Sequence, residues 1–220
     1  VVEAVGAGVT DVAVGQRVGY ATVPHGAYAE ARLVPAERLI PLPNGIDEVT
    51  AAAVLLKGMT AEYLIRRAHP VRAGDTVLFH AAAGGVGLLA CQWLNRLGAT
   101  VIGTVGSETK APIARAHGCH HVLVLGDGGL AARVRELTGG RGVPVVFDSV
   151  GRDTFLESLD CLRPRGTLVS FGNASGKVEP FDIGLLGAKG SLYLTRPSLF
   201  TYVAAREELL ASAAALFDAI

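Results

Sequence analysis

The sequence predicts an α/β fold in which a doubly wound parallel sheet is buried between layers of helices. Segments with the patterns of strands and helices alternate from Asp47 onward. The strand segments are continuous apolar runs, which are typical of sheets covered on both faces. Glycine supplies 28 of the 220 residues, and this enrichment favours tight turns and close backbone approaches over long helical bundles.

Residues 1–43 have a different pattern. β-branched and small residues at 12–23 and 27–34 lie between glycine and proline turn signals, so we predict short strands there. Gly6 and Gly8 resemble the beginning of a phosphate-binding loop, but no helical pattern follows them. We therefore interpret them as a turn.

A long helix is predicted from Val49 to Arg67, with Asp47 as its N-cap. Apolar and small residues recur along this segment, and an Asp side chain can accept hydrogen bonds from the free N–H groups of a first helical turn. Strands and helices then alternate. We predict strands at 76–80, 100–105, 122–125, 143–147, 166–171 and 191–195, and helices at 86–97, 109–117, 130–137, 154–162 and 207–217.

The composition of the chain argues against several classes of function. Hydrophobic residues make up 50% of the chain, which is enough for a sizeable core, and Lys+Arg and Asp+Glu both number 20. This balance leaves no excess of positive charge for a nucleic-acid partner. No charge-free apolar run reaches the ~18 residues of a membrane-spanning helix, so we expect no membrane partner. The 3 cysteines are far apart, which predicts no disulfide framework and a cytoplasmic protein.

The most informative segment is the loop that follows the strand at 76–80. Gly84 and Gly87 occupy the last two glycine positions of G-x-G-x-x-G, and Ala82 replaces the first. Small residues allow the backbone to approach a pyrophosphate, which the N–H groups and the dipole of the next helix then hold. Because this loop opens the strand–helix series, we predict dinucleotide binding. The alternative is a purely structural turn.

The end of the second strand indicates which dinucleotide binds. An acidic residue about 20 positions after the glycine loop would contact a ribose 2′-hydroxyl and favour NAD. The strand itself ends without a carboxylate, and Ser107 and Lys110 follow it. A hydroxyl and a cation suit a 2′-phosphate, so we predict NADPH. Glu108 leaves an ambiguity, although it lies in the first turn of the next helix, where an acid suits the helix dipole.

Other candidate residues support simpler interpretations. Ser149 follows the strand at 143–147, where ligands bind in doubly wound sheets, but it could also be a turn cap. Cys119 and the two adjacent histidines that follow it cannot easily converge on a metal, because consecutive strand residues point to opposite faces. We expect no metal site. His80 ends a buried strand, and we expect it to be packed in the interior.

Several motifs together resemble a known family. They are His80–Gly87, Leu56–Thr60, Phe147–Gly151, Leu168–Gly172 and Thr195–Leu199. They are similar to the zinc-free NADPH:quinone oxidoreductases of the medium-chain dehydrogenase superfamily, the bacterial enzymes related to ζ-crystallin. The resemblance covers the chain throughout.

The resemblance implies how the chain is organised. Residues 47–205 would form a Rossmann-type NADPH-binding domain, and residues 1–46 would form part of a GroES-like β-barrel domain. Residues 206–220 would begin the helix that leads back to the barrel. It also implies that the sequence is a piece of a longer protein, and that residues which act on the substrate lie outside it. We therefore assign no catalytic residue here.

The resemblance also implies a set of cofactor contacts. Matched motif by motif, they are Thr60, Gly84, Gly85, Val86, Gly106, Ser107, Lys110, Ser149, Phe171, Gly172 and Asn173. One departure concerns Leu125, which stands where related reductases often have a tyrosine beside the cofactor. The loss of that contact would weaken NADPH binding and leave the fold unchanged.

The implied activity is hydride transfer from NADPH to a small-molecule quinone in the interdomain cleft, without a metal. A quinone is electron-poor, so no Lewis acid is required. Two alternatives remain open. One is NADPH-dependent reduction of an activated C=C bond in an enal or enone, and the other is a non-catalytic NADPH-binding protein of crystallin or RNA-binding type. We also predict a homodimer through the strand Ser191–Thr195, because an apolar sheet edge invites pairing with another chain.

Overall fold

The computed structural model describes residues 1–21, 25–126 and 128–220. The chain forms two compact units. The first comprises Val1–Tyr63 and Leu199–Ile220, and the second is Leu64–Ser198. These boundaries differ from the predicted ones at 46/47 and 205/206, because the helix after Asp47 packs within the first unit. The assignment of barrel and nucleotide-binding domains stays a prediction.

The strands and helices are numbered in chain order. The strands are β1 (Val18–Gly19), β2 (Ile40–Pro41), β3 (Thr76–Phe79), β4 (Thr100–Val105), β5 (His121–Val124), β6 (Val143–Asp148), β7 (Leu162–Ser170) and β8 (Tyr193–Thr195). The helices are α1 (Glu48–Tyr63), α2 (Gly85–Arg96), α3 (Ala111–Ala116), α4 (Leu130–Leu137), α5 (Phe155–Cys161), α6 (Gly184–Ala188), α7 (Leu199–Tyr202) and α8 (Arg206–Phe217).

The N-terminal segment contains fewer strand residues than predicted. Only β1 and β2 form there among the described residues, as an antiparallel pair with Val18 opposite Pro41. The predicted strands at 12–23 and 27–34 are otherwise absent from the described residues, and residues 22–24 lie outside them. A strand requires a neighbour that accepts and donates its ladder hydrogen bonds, and β-branched composition alone supplies none.

Helix α1 begins as predicted at its N-cap. The Asp47 carboxylate accepts a hydrogen bond from the Thr50 N–H at 2.6 Å, and this bond lowers the pKa of Asp47. Gly58 lies where α1 meets α8, because a Cβ there would stand 2.7 Å from one methyl carbon of Leu216 and closer still to the other. Glu62 on α1 accepts a buried hydrogen bond from Ser212 on α8 at 2.8 Å.

The second unit contains a six-stranded parallel sheet in the order β5-β4-β3-β6-β7-β8. The chain runs outward from β3 to β5, returns to pair β6 beside β3, and then runs outward the other way. β4 and α4 have their predicted bounds, and the ends of most other elements differ by a few residues. The predicted doubly wound parallel sheet is confirmed.

Most of the interior of this unit is apolar, as the sequence predicts. Every residue of β6 is buried, and Phe147 from that strand lies 5.5 Å from Phe79 between ring centroids. Two short helices, α6 and α7, were not predicted, because four or five residues are too few to show a helical period. No helix in the described part of the chain is both long and apolar enough to cross a membrane.

Candidate functional site

The loop between β3 and α2 is a tight turn built from small residues. Ala81 adopts a positive φ of 52°, and its carbonyl accepts a hydrogen bond from the Gly84 N–H at 2.8 Å. The Ala82 N–H donates to the Thr104 carbonyl on β4 at 2.8 Å. The loop is therefore tied to the neighbouring strand, and it delivers the chain to α2 at Gly84, the N-cap.

Gly87 is required by a close approach within this loop. A Cβ at this position would stand 2.7 Å from the Ala82 carbonyl oxygen, and it would stand closer still to the Ala81 oxygen. Backbone atoms cannot move aside as a flexible side chain can. The third glycine of the motif thus allows the first turn of α2 to pack on its own loop.

The beginning of α2 presents unused hydrogen-bond donors. The N–H groups of Gly85, Val86 and Gly87 donate to no acceptor among the described residues, and Gly84 and Gly85 are exposed. Three free donors at the positive end of a twelve-residue helix form a site for an anion. A pyrophosphate fits this donor set because the exposed Gly84 and Gly85 carry no side chain to block its approach.

The end of β4 carries the residues predicted to select the cofactor. Gly106 has no neighbouring atom within 4 Å of a built Cβ, and the Ser107 and Thr109 hydroxyls share a hydrogen bond of 2.8 Å. The Lys110 side chain is exposed and has no hydrogen-bond or ion-pair partner among the residues that the structure describes. An accessible cation beside a hydroxyl is suited to a phosphate.

The ends of β6 and β7 are brought together. The Phe171 N–H donates to the Asp148 carbonyl at 2.7 Å, and the Ala174 N–H donates to the Ser149 carbonyl at 3.0 Å. A Cβ at Gly172 would stand 2.5 Å from that Ser149 oxygen. Ser149, Phe171, Gly172 and Asn173 therefore lie at one edge of the sheet, as the sequence predicts for residues that follow adjacent parallel strands.

Arg196 holds this second cluster together, although its sequence pattern predicted no role for it. Its guanidinium donates to the carbonyls of Ser170 at 2.9 Å and Gly172 at 3.0 Å. With the Asn173 amide oriented to satisfy its hydrogen bonds, the amide oxygen also accepts from Arg196 at 3.3 Å. The only sequence signal was its place in the motif after β8, because its partners are distant backbone atoms.

A buried polar network lies beneath the loops, and it was also missed. The Asp148 carboxylate accepts hydrogen bonds from the N–H groups of Val150 at 2.7 Å and Gly151 at 3.1 Å. It also accepts from the hydroxyls of Thr154 at 2.8 Å and Ser158 at 3.1 Å. The spacing Asp148–Thr154–Ser158 is a local signal that could have indicated it.

His80 completes this network, and its predicted burial is confirmed. The side chain is 0% exposed. One ring nitrogen is 2.9 Å from the Thr104 hydroxyl and the other is 2.9 Å from the Ser158 hydroxyl. Burial lowers the pKa of His80 below its ordinary value, against the opposing effect of the carboxylates of Asp148 and Glu157. The imidazole is therefore neutral at pH 7.

Two further residues named in the sequence analysis are Thr60 and Leu125. Thr60 belongs to the first unit, where its hydroxyl donates to the Leu56 carbonyl on α1 at 2.7 Å. Leu125 follows β5, its N–H donates to the Val105 carbonyl at 2.9 Å, and its side chain packs on the hydrophobic core. In the part of the chain that the structure describes, no group of three or more His, Cys, Asp and Glu could hold a metal ion.

The strand order of the parallel sheet reverses between β3 and β6, and the glycine loop and the free N–H donors of α2 follow β3 at this point. These features define the class of doubly wound α/β folds, which bind ligands at the carboxyl edge of the sheet. The chain belongs to the zinc-binding dehydrogenase family, whose sequence model matches residues 85–213. The predicted resemblance to quinone oxidoreductases of the medium-chain dehydrogenase superfamily is confirmed, and the absence of zinc stays a prediction.

Individual relatives are similar over the whole chain. A quinone oxidoreductase of Pseudomonas aeruginosa is 55% identical over 219 residues, which are 100% of this chain and 67% of that protein. A 2-haloacrylate reductase of a Burkholderia species is 51% identical with the same coverage. The crystal structure of an Escherichia coli quinone oxidoreductase complexed with NADPH has a TM-score of 0.96 and 48% identity, covering 99% of this chain and 67% of that chain. The chain thus spans about two thirds of the length of these relatives.

Proposed function

We propose that the protein is an NADPH-dependent oxidoreductase that transfers a hydride to a quinone without a metal. The observation that carries the proposal is the set of free N–H donors at Gly85, Val86 and Gly87 in a loop closed to larger side chains. Similarity to quinone oxidoreductases at 48–55% identity, one of them solved with NADPH, supports it. Bound NADPH would supply the hydride, and a quinone accepts one without a Lewis acid.

Different residues at the carboxyl edge would bind different parts of the cofactor. The α2 donors would hold the pyrophosphate, with Gly84 leaving room for its approach. Ser107 and Lys110 would bind the 2′-phosphate beside Gly106, which leaves space for the ribose. Ser149, Phe171, Gly172 and Asn173 would contact the nicotinamide half, where Arg196 and Asp148 keep the backbone in place. We retain Thr60 as a further proposed contact from α1.

The zinc of the family name has no role in this proposal. The described residues provide no ligand trio for it, and the charge that develops on a reduced quinone does not require it. The domain assignment, with residues 1–46 and 206–220 in a GroES-like barrel, is likewise proposed. Three buried free thiols suit the reducing cytoplasm, which we propose as the compartment.

Cofactor preference and turnover test the proposal together. NADPH oxidation is measured with and without 1,4-benzoquinone, using the full-length protein, and an enone serves as the competing acceptor. We expect quinone-dependent oxidation with NADPH favoured over NADH by about ten- to a hundredfold, since a charge-assisted contact contributes about 1.5–3 kcal/mol. Equal affinity for both cofactors, or faster turnover with the enone, would contradict the proposal.

Charge reversal at Lys110 tests whether this residue causes the preference for NADPH over NADH. Lys110→Glu should remove it by weakening NADPH binding while leaving NADH binding unchanged. Arg115→Glu on α3 is the matched control, because it changes the net charge equally on an exposed helix surface nearby. If both variants reduce NADPH affinity alike, the preference arises from overall charge and not from a contact with Lys110.

We also propose a homodimer through the edge of the sheet. Among the described residues, β8 pairs only with β7, and its Tyr193 is 62% exposed. An exposed apolar edge strand offers unpaired backbone groups to a second copy related by a two-fold axis. Light scattering at micromolar concentration should give a dimer mass, and Tyr193→Lys should shift it towards the monomer. A monomer mass for the unmodified protein would disprove this interface.

A further inference from the structure

A continuous line of hydrogen-bonded, buried polar side chains connects the strand that leads into the glycine loop with the strand that leads into the turn at Ser149. It begins at Thr104 on β4, passes through His80 and Ser158, and ends at Asp148 with Thr154. All five side chains are buried. None of them faces solvent, so none can act on a substrate directly. Such a network is nevertheless costly to bury unless each group has a partner, and here each one does.

We propose that His80 is a positioning residue for the cofactor, which acts as a neutral imidazole protonated at Nε2. In that form it couples the glycine loop to the turn at Ser149 and keeps both in the geometry that binds NADPH. This inference rests on the proposed function, because it assigns how the same site is kept in shape.

The protonation state follows from counting donors and acceptors. The Asp148 carboxylate accepts from the N–H groups of Val150 and Gly151 and from the hydroxyls of Thr154 and Ser158, so the one proton of Ser158 is donated to Asp148. The Ser158 oxygen is then left to accept, and its partner His80 must carry a proton on Nε2. Neutral imidazole has a bare Nδ1, which accepts from the Thr104 hydroxyl. The donor and the acceptor of each hydrogen bond from Thr104 to Asp148 are thereby assigned.

Backbone hydrogen bonds carry this geometry to the loops. The His80 N–H donates to the Phe147 carbonyl on β6 at 2.9 Å, one residue before the glycine loop begins at Ala81. At the other end, the Asp148 carboxylate accepts from the N–H groups of Val150 and Gly151. A displaced imidazole would therefore release Ser158 and allow Asp148 to shift, and the Ser149 turn would move with it.

Protonation of His80 would disturb the line. An imidazolium would place a proton on Nδ1, facing the Thr104 hydroxyl, which would have to turn its own proton away. Of the charged groups that face the ring, Asp148 on β6 and Glu157 on α5 favour the imidazolium, whereas burial disfavours it more strongly. Cofactor affinity should consequently fall in acid in a way that depends on His80.

Two substitutions at His80 separate positioning from simple packing. His80→Gln keeps a donor towards Ser158, whereas His80→Leu keeps only bulk. Using NADP⁺ as the probe, because it survives acid, we expect the dissociation constant to rise about tenfold or more in His80→Leu. It should stay within about threefold of the unmodified value in His80→Gln. Turnover of the full-length protein at saturating NADPH should change less than the NADPH KM in both.

The pH profile is the second readout. Between pH 8 and 5.5, the NADP⁺ affinity of the unmodified protein should fall more steeply than that of His80→Gln, because only the unmodified protein has an imidazole to protonate. Titration of the ligand itself affects both proteins equally. Val134→Ala on α4 is the control for packing, because Val134 is fully buried and outside the network. We expect it to lower Tm without changing NADP⁺ affinity or the pH profile.

A measurement without ligand separates this inference from the proposed function. Nitrogen-15 NMR of the imidazole should show a protonated Nε2 and a bare Nδ1, and amide exchange at Val150 and Gly151 should quicken in His80→Leu. A folded His80→Leu protein with unchanged exchange at these amides overturns the inference, as does a protonated Nδ1 at neutral pH. Absence of NADP⁺ binding to the unmodified protein would instead reject the proposed function, while the exchange result would still decide the coupling.

Discussion

Substitution of Gly87 by alanine tests whether the glycine loop is shaped by steric necessity. The added Cβ would stand 2.7 Å from the Ala82 oxygen and 2.8 Å from the Ala82 carbonyl carbon, besides a closer approach to Ala81. The Ala81 carbonyl is held by the Gly84 N–H, so the loop cannot relax without losing that hydrogen bond. Overpacking lowers the free energy of unfolding by about 1–3 kcal/mol. Because the added Cβ meets backbone atoms, which cannot move aside, we expect a loss of about 3 kcal/mol.

The assay is thermal unfolding combined with NADPH titration. Each kcal/mol lowers Tm by about 2–4 °C in a protein of this size, so Tm should fall by about 6–12 °C. NADPH affinity should fall as well, because the first turn of α2 can no longer direct its donors at the pyrophosphate. Gly187→Ala on α6 is the matched control, with an exposed site, no atom within 4 Å of the added Cβ, and no positive φ.

The control should leave Tm unchanged or raise it slightly, since alanine reduces the freedom of the unfolded chain by about 0.4–1 kcal/mol. A Gly87→Ala protein with the Tm and NADPH affinity of the unmodified protein would refute the steric reasoning. Equal losses in both variants would also refute it, because they would show a general sensitivity to alanine.

Three further predictions follow from other contacts. Arg196→Met should raise the NADPH dissociation constant about tenfold with little change in NADH/NADPH preference, because it frees the carbonyls of Ser170 and Gly172; fluorescence titration checks this. Burial lowers the pKa values of His69 and His80 below 6.5, so the unfolded chain binds more protons below that pH. The free energy of unfolding should be steady above pH 7 and fall in acid by up to about 1.4 kcal/mol per pH unit for each histidine, as urea titrations would measure. Burial raises the pKa of Cys161 to about 12, so this thiol should resist iodoacetamide at pH 8 until the protein unfolds, as peptide mass spectrometry would show.

The sheet could be predicted because its signals are local. β4 is rich in β-branched residues, five of its six residues are buried, and its bounds Thr100–Val105 match the prediction. Apart from β1, the predicted strands at 12–23 and 27–34 were wrong for the described residues, because a strand requires pairing partners and β propensity depends on that context. Tyr28 has a strand-forming side chain and Leu33 is apolar, yet both are exposed.

The candidate site divides in the same way. The positions of the glycine loop and of Ser107 and Lys110 could be predicted, since each follows a strand at short range, whereas their contacts with NADPH stay a prediction. The links to His80 could not, because Ser158 lies 78 residues away in sequence and only the fold brings the two together. Arg196 was missed for a related reason: it binds carbonyl oxygens, which every residue carries and no side-chain pattern reveals.

We propose that the carboxyl edge of the sheet, at the N-terminus of α2, is the NADPH site. A ¹H–¹⁵N NMR titration of the full chain with NADP⁺ would locate the bound cofactor. We expect saturable shifts that are largest at the amides of Gly85, Val86 and Gly87, with a smaller set at Ser107 and Gly172. Shifts that spare the α2 amides, or that do not saturate, would contradict it.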